Sequence, residues 1–299
     1  MIRLIKTILR LALLLLLGAG LLFSYARWVE PRFIDETQLT CAGASLRLAD
    51  NGSDAGPLRI AVFADTHFSQ YYTPEDFQRV VTRINASQPD LVFFLGDLID
   101  NYNTYDGDID SITQALSQIT TSGRAGTVSQ DGTVCGKFAV FGNHDYGGGL
   151  ENYYIQFMEA GGFQVLVNDT VTLSDWNLTI TGIDDMVIGY GDIACASVLP
   201  EDCYNIVLAH EPDIVTDMTD YAIDLMMSGH THGGQINLPF MSDHFLPPYG
   251  QIFVNGEYRF ENARETLLYV NRGLGTTQLP LRFLASPELT EIVVTPEEL

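Results

Sequence analysis

The chain has 299 residues, of which 46% are hydrophobic and 18% charged, with a formal net charge of −23. This composition excludes a disordered or low-complexity protein and leaves ample length for a substantial core. Residues 1–32 hold five of the 15 basic residues and one of the 38 acidic ones, so residues 33–299 carry 10 − 37 = −27. Such a body repels nucleic acid and anionic lipid at long range, and neither is expected as a nonspecific partner.

At the N-terminus Arg3, Lys6 and Arg10 precede an uncharged run from Leu11 to Ala26, and Arg27 and Trp28 follow it. The run is shorter than the roughly 20 residues of an ordinary span, but flanking arginines can snorkel and tryptophan suits the interface. Residues 1–28 are therefore predicted as a signal anchor or transmembrane segment. The alternative is a cleaved signal, since Ser24-Tyr25-Ala26 reads as a small-x-small cleavage site. In both cases the early basic residues stay in the cytoplasm and the remainder is exported, which places a catalytic domain outside the cytoplasm.

Residues 29–57 read as a connector with a first strand or hairpin between Thr37 and Leu48, and residues 58–299 as the main domain. Leu58 to Ala64 is a buried-strand pattern; Thr73-Pro74-Glu75 opens a helix to about Ala86 with Thr73 as N-cap. Leu91 to Leu95 and Lys137 to Phe141 are further apolar strands, separated by a helix over 108–119 and an excursion from Thr120 to Gly136. After a helix near 149–160 come shorter strands, among them Leu178 to Ile183, Ile206 to Ala209 and Ile223 to Met227. Thr266 to Val270 and Leu289 to Val294 follow. The expected fold class is α/β, two packed sheets with helices outside them. The four cysteines lack the short paired spacing of a zinc-thiolate site. For an exported domain disulfides are the default, Cys195 with Cys203 closing a short loop and Cys41 with Cys135 remaining; free buried thiols are the alternative.

Several strands run straight into metal-ligand chemistry. Asp65-Thr66-His67, Gly96-Asp97-Leu98-Ile99-Asp100, Gly142-Asn143-His144-Asp145, Ala209-His210 and Gly229-His230-Thr231-His232 each end an apolar run, so five of the six histidines lie at strand ends. His230 and His232, two residues apart, would share one face of an extended strand, and the neighbouring glycines permit a turn that carries both into one site. His244 reads as a surface residue. Arg272 and Arg282 are either strand caps or substrate-phosphate binders, and Tyr71, Tyr72, Tyr102 and Tyr105 either wall a cleft or pack its rim.

The ordered set of five blocks resembles the calcineurin-like metallophosphoesterase superfamily. Gly233-Gly234-Gln235, Asn271-Arg272-Gly273-Leu274-Gly275 and Pro280-Leu281-Arg282-Phe283 resemble its bacterial membrane-associated phosphodiesterase branch. The resemblance implies a sandwich of two mixed β-sheets flanked by helices. It implies two divalent metal ions, Mn, Zn or Fe: one held by Asp65, His67, Asp97 and His232, the other by Asp97, Asn143, His210 and His230, with Asp97 bridging. It further implies in-line attack on phosphorus by a hydroxide shared between the metals. His144 is implied as general acid or transition-state donor, with Asp100 as its carboxylate partner and Asp145 as the rival. Asp100 stands where purple acid phosphatases carry a tyrosine ligand, so an iron–tyrosinate centre is not expected.

The expected activity is hydrolysis of a phosphodiester or pyrophosphate, on a small-molecule or lipid-linked substrate. The alternatives are a phosphomonoesterase and a metal-binding scaffold without turnover.

Overall fold

The structure, a computed structural model, describes residues 2–43, 45–46, 56–128, 134–238 and 246–296. It opens with a 23-residue helix, α1 (Ile2–Ser24), none of which is buried. At about 1.5 Å per residue such a helix reaches about 35 Å, enough for a hydrocarbon layer about 30 Å thick. Its mean hydropathy of 2.1 makes it long and apolar enough to cross a membrane by length and composition. No loop follows. A π-helical turn at Tyr25–Val29 and a 3-10 turn at Glu30–Arg32 carry the chain directly onto the folded body.

The body is two six-stranded sheets packed face to face. The first contains β1 (Asp35–Gly43), β2 (Leu58–Phe63) and β3 (Leu91–Phe94), with α2 (Pro74–Ser87) between the last two. After α3 (Ile109–Ser117) a small ribbon of β4 (Thr127–Val128) and β5 (Val134–Cys135) leads to β6 (Lys137–Ala139). Then come α4 (Asn143–Gly147), α5 (Tyr154–Ala160) and β7 (Gln164–Val165). The second sheet holds β8 (Asp169–Leu173), β9 (Leu178–Gly182), β10 (Tyr204–Leu208), β11 (Leu225–Ser228), β12 (Gly256–Arg259) and β13 (Leu267–Val270). The last strand, β14 (Glu288–Pro296), returns to the first sheet. The orders are β1-β14-β2-β3-β6-β7 and β12-β13-β11-β10-β9-β8.

Alternation along the strands builds the layers. In β2, Ile60 and Val62 enter the core between the sheets, with Phe93, Phe138, Ile206 and Met227, while Ala61 and Phe63 face Phe77, Val80 and Ile84 of α2. α2 begins as its sequence demands: Thr73 caps the amide of Asp76, and the Asp76 carboxylate bonds the Thr73 amide in return. Lys137 is buried at the start of β6, its ammonium donating to the carbonyls of Leu116, Ile119 and Gly161 at 3.2, 3.1 and 2.7 Å. It thereby ties the carboxyl ends of α3 and α5 to the sheet, where a cation is favoured.

Two expectations change. The helix expected near 149–160 is shorter, since α5 starts at Tyr154, and a further helix, α4, precedes it. Of the strand or hairpin expected between Thr37 and Leu48, the described residues form a strand, β1, which pairs parallel with β14 along its whole length, from Asp35 with Glu288 to Gly43 with Pro296. None of the four cysteines forms a disulfide, which corrects both expected pairings. Cys195 packs against the outer core of the second sheet, whereas Cys203 faces Asn177 Oδ1 at 3.3 Å. Cys41 lies 3.6 Å from the Tyr204 hydroxyl, and Cys135 sits 3.5 Å from the Lys137 carbonyl.

Candidate metal centre

All five ligand-type loops leave carboxyl ends of strands, those after β2, β3 and β6 from one sheet and those after β10 and β11 from the other. Both groups converge at one end of the sandwich, where outward-turned chain ends leave room for a site. The turns that bring the side chains inward place Asp65, His67, Asp97, His230 and His232 in the left-handed region, with φ of 49°, 42°, 60°, 72° and 53°. A non-glycine residue there costs about 1–3 kcal/mol, and such strain gathers at functional sites. Glycine is required where the loops touch: a Cβ on Gly142 would lie 2.3 Å from Asp97 Oδ1 and 2.8 Å from His210 Cε1.

The side chains form two groups joined by one carboxylate. Asp65 Oδ1 lies 3.7 Å from His232 Nε2 and 4.0 Å from His67 Nε2, and those two nitrogens face each other at 3.1 Å. His210 and His230 stand together with ring centroids 4.7 Å apart. Asp97 Oδ2 is 3.3 Å from His67 Nε2 and also 3.3 Å from His210 Nε2. Asn143 Oδ1 is buried without a hydrogen-bond partner among the described residues.

The outer atoms of the rings are fixed. His210 Nδ1 donates to the Leu95 carbonyl at 2.6 Å and His230 Nε2 to the Pro248 carbonyl at 2.8 Å, which turns the opposite nitrogen of each ring toward the cluster. His67 Nδ1 faces Asp100 Oδ1 at 3.1 Å.

The electrostatics follow from crowding buried charges. Burial opposes ionisation of Asp97, but the neighbouring His210 and His144 outweigh it and hold the carboxyl well below its usual range. Burial also opposes charge on His67, and there the Asp100 and Asp97 carboxylates prevail, raising the imidazole to about 10. His210 is raised as well, its burial outweighed by Asp97. His230 falls to about 3 through burial and the charge of His210. Burial pushes Asp65 up to about 6. Two carboxylates thus collect protons on two imidazoles, and a divalent cation can replace them. The inward ring nitrogens, paired carboxylates and orphaned amide oxygen suit metal ions with mixed nitrogen and oxygen coordination.

His144 lies at the side of this cluster, its ring 4.6 Å from that of His67 and its amide donating to Asp97 Oδ1 at 2.8 Å. Its Nδ1 donates to the Asp100 backbone carbonyl at 2.7 Å, while the Asp100 carboxylate is 3.7 Å away and nearer to His67. Asp145 does not reach this ring: its carboxylate accepts the amides of Gly142, Asp97 and Leu98 at 2.9, 2.9 and 3.0 Å and braces two ligand loops.

The cluster floors a cleft of about 450 Å³, walled by Ile236, Leu246, Pro247 and Leu279 and by Thr277, whose hydroxyl is 3.5 Å from His144 Nε2. None of the four tyrosines walls it. Tyr102 stacks near Tyr153 and Phe157, Tyr71 lies under Arg27, Tyr72 is buried, and Tyr105 lines a separate hollow. Arg272 is held by Glu288 and Asp35, both at 2.8 Å. Arg282 is fully buried, bonding the carbonyls of Gly275, Ala285 and Arg272 and reaching His232 Nδ1 at 3.3 Å. His244 lies outside the described residues.

Sequence reasoning missed Glu211, to which it gave no role. Glu211 is fully buried beside His210 and His230, and burial and the Asp185 carboxylate raise its pKa well above the usual range. Its place directly after a strand-end histidine was the available signal.

A two-sheet sandwich whose strand-end loops converge such a donor set on one cleft defines a metallohydrolase. The model of the calcineurin-like phosphoesterase family matches residues 58–234, and the chain belongs to that family. It is 40% identical over 278 residues to the uncharacterized metallophosphoesterase YkuE of Bacillus subtilis, covering 92% of this chain and 90% of the relative. It is 28% identical over 275 residues to the phosphodiesterase YaeI of Escherichia coli, covering 90% and 91%. The chain is accordingly a metal-dependent phosphoesterase, and its family uses divalent metals.

Proposed function

We propose that the chain hydrolyses phosphodiester or pyrophosphate bonds with two divalent cations. One would be held by Asp65, His67, Asp97 and His232, the other by Asp97, Asn143, His210 and His230. The observation that carries this is Asp97 Oδ2, equidistant at 3.3 Å from a histidine of each group. Bound cations supply Lewis acidity toward phosphoryl oxygens and lower the pKa of a water.

The chain's own residues do the rest. His144 Nδ1 must carry a hydrogen, because its carbonyl partner can only accept, so donation from Nε2 to a leaving oxygen requires the imidazolium. Asp100 is the positioning residue, holding His144 by its carbonyl and His67 by its carboxylate. The choice of ester rests on the cleft walls: among the described residues lining it there is no lysine or arginine, while one side is apolar. A dianionic monoester finds no side-chain cation there; a singly charged diester with an apolar substituent fits better, and a lipid-linked substrate is compatible. The relative named as a phosphodiesterase agrees with this choice. We place α1 in a membrane as a single span with the catalytic domain on the outer side.

The test is turnover of the purified chain, stripped of metal and resupplied with Mn or Zn, on matched p-nitrophenyl monoester and diester substrates. Metal-restored hydrolysis favouring the diester is expected. Preference for the monoester would overturn the substrate class, and full turnover without metal would overturn the metal requirement.

A further inference from the structure

The chain around the foot of α1 is fastened to the wall of the metal cleft. The Ala26 carbonyl accepts the Arg282 amide at 3.0 Å, and the Tyr25 and Phe283 rings meet edge to face at 6.3 Å. Glu30, buried, accepts the Ala285 amide at 2.7 Å. Phe283 is in turn bridged to Ile236, which lines the cleft. A helix with the length of a membrane span therefore meets the catalytic body with no slack between them.

Two features of this junction face outward. One is apolar: Phe33, Leu284, Leu279 and Trp28 are 66%, 59%, 51% and 50% exposed, next to a helix that is itself exposed throughout. The other is basic. Arg27, Arg32 and Arg79 line a small hollow whose sole acid among the described residues is Asp76, which caps α2 and lies 3.8 Å from the Arg79 guanidinium. Arg27 lies over Tyr71 at 4.8 Å, and Arg79 donates to the Arg32 carbonyl at 3.2 Å, so the guanidiniums are gathered by structure. The hollow and the metal cleft share a wall: Thr276 and Pro280 face the hollow, and Thr277 and Leu279 the cleft.

We infer that this face docks on the surface of an anionic phospholipid bilayer, with the guanidiniums around the hollow of about 30 Å³ pairing with headgroup phosphates at its rim and Phe33, Leu279 and Leu284 entering the interface. The body's net charge of −27 repels anionic lipid on approach, but once α1 holds the chain at the bilayer the Debye length of about 8 Å lets the surface act only on the nearest charges. Three arginines against one capped aspartate reverse the sign locally, and the acidic remainder points the body away from the lipid. Guanidiniums suit phosphate through paired donors, and tryptophan suits the headgroup layer. The mouth of the metal cleft then opens at the bilayer surface.

The inference rests on α1 lying in a membrane, and the test separates the two. The full chain is reconstituted in nanodiscs of phosphatidylcholine alone or of phosphatidylcholine with phosphatidylglycerol, and amide hydrogen exchange of residues 26–33 and 276–285 is compared. Each arginine near an anionic surface contributes roughly fivefold to association. Exchange should therefore slow about tenfold or more in the phosphatidylglycerol discs, and this slowing should vanish in the combined Arg27→Gln, Arg32→Gln, Arg79→Gln variant with its metal content unchanged. A chain that fails to co-purify with discs overturns the membrane reading and the docking with it. A chain that enters discs yet exchanges equally in both overturns the headgroup recognition alone.

Discussion

Asp97 ties together donors that come from separate sheets, and replacing it tests the centre most directly. Asp97→Asn should abolish turnover and bound metal together, read by elemental analysis beside the kinetic assay; retained metal would remove Asp97 from the ligand set. His144→Asn should keep the metal and lower the rate by about 10²–10⁴, most for poor leaving groups, as loss of a proton donor does. Loss of metal in that variant would make His144 a ligand. Because the Asp100 and Asp97 carboxylates hold a proton on His67 up to about pH 10, a cation must displace it. Apparent metal affinity should then rise with pH across the neutral range, with proton release visible by calorimetry in buffers of different ionisation enthalpy. Affinity independent of pH would mean that His67 is not a ligand.

At this scale the sequence was informative because ligand chemistry needs particular residue types: aspartate, histidine and asparagine at the ends of apolar runs stand out. The contacts that orient them were not legible. The Leu95 and Pro248 carbonyls behind His210 and His230 are backbone groups that any sequence supplies, and Arg282 behind His232 depends on a distant loop folding back.

Among the elements, the turn from β6 into α4 is the most constrained. Gly142→Ala would place a methyl against Asp97 Oδ1 and the His210 ring, so metal content should fall while the sheets persist, separable by circular dichroism. Lys137 offers a contrasting case away from the site. Lys137→Met should lower stability by about 1–3 kcal/mol, since three buried carbonyls lose their donor, with metal content unaffected. Helices α2 and α3 were legible because capping residues and apolar spacing agree. α4 was not: its N-cap is a glycine without a side chain, and its capping bonds come from Asp145, which looks like any loop aspartate. The cysteines were misread because a short loop between two sulfurs says nothing about where each side chain turns.

For the molecule as a whole, the junction between α1 and the body predicts a graded response to truncation. Removing residues 2–24 should leave the melting temperature unchanged, because none of α1 is buried. Removing residues through Arg32 also deletes the buried Glu30 carboxylate that accepts the Ala285 amide, which should cost about 1–3 kcal/mol and several degrees. Equal melting of the two truncations would show that the turns after α1 bear no load. The two-sheet plan was legible from the run of apolar strands, but strand order was not, since pairing depends on residues hundreds of positions apart.

The place of β14 between β1 and β2 bears on how such a chain comes to be assembled. β1 has no partner, and β2 only β3, until residues 288–296 arrive, although the Asp65 and Asp97 loops were made long before. A chain emerging from a ribosome or a translocation pore thus cannot finish its first sheet from the amino end onward, and such long-range pairing folds slowly. The Asp65 carbonyl accepts the Gly275 amide at 2.7 Å, so the frame around that loop is completed only once the last part of the chain is present.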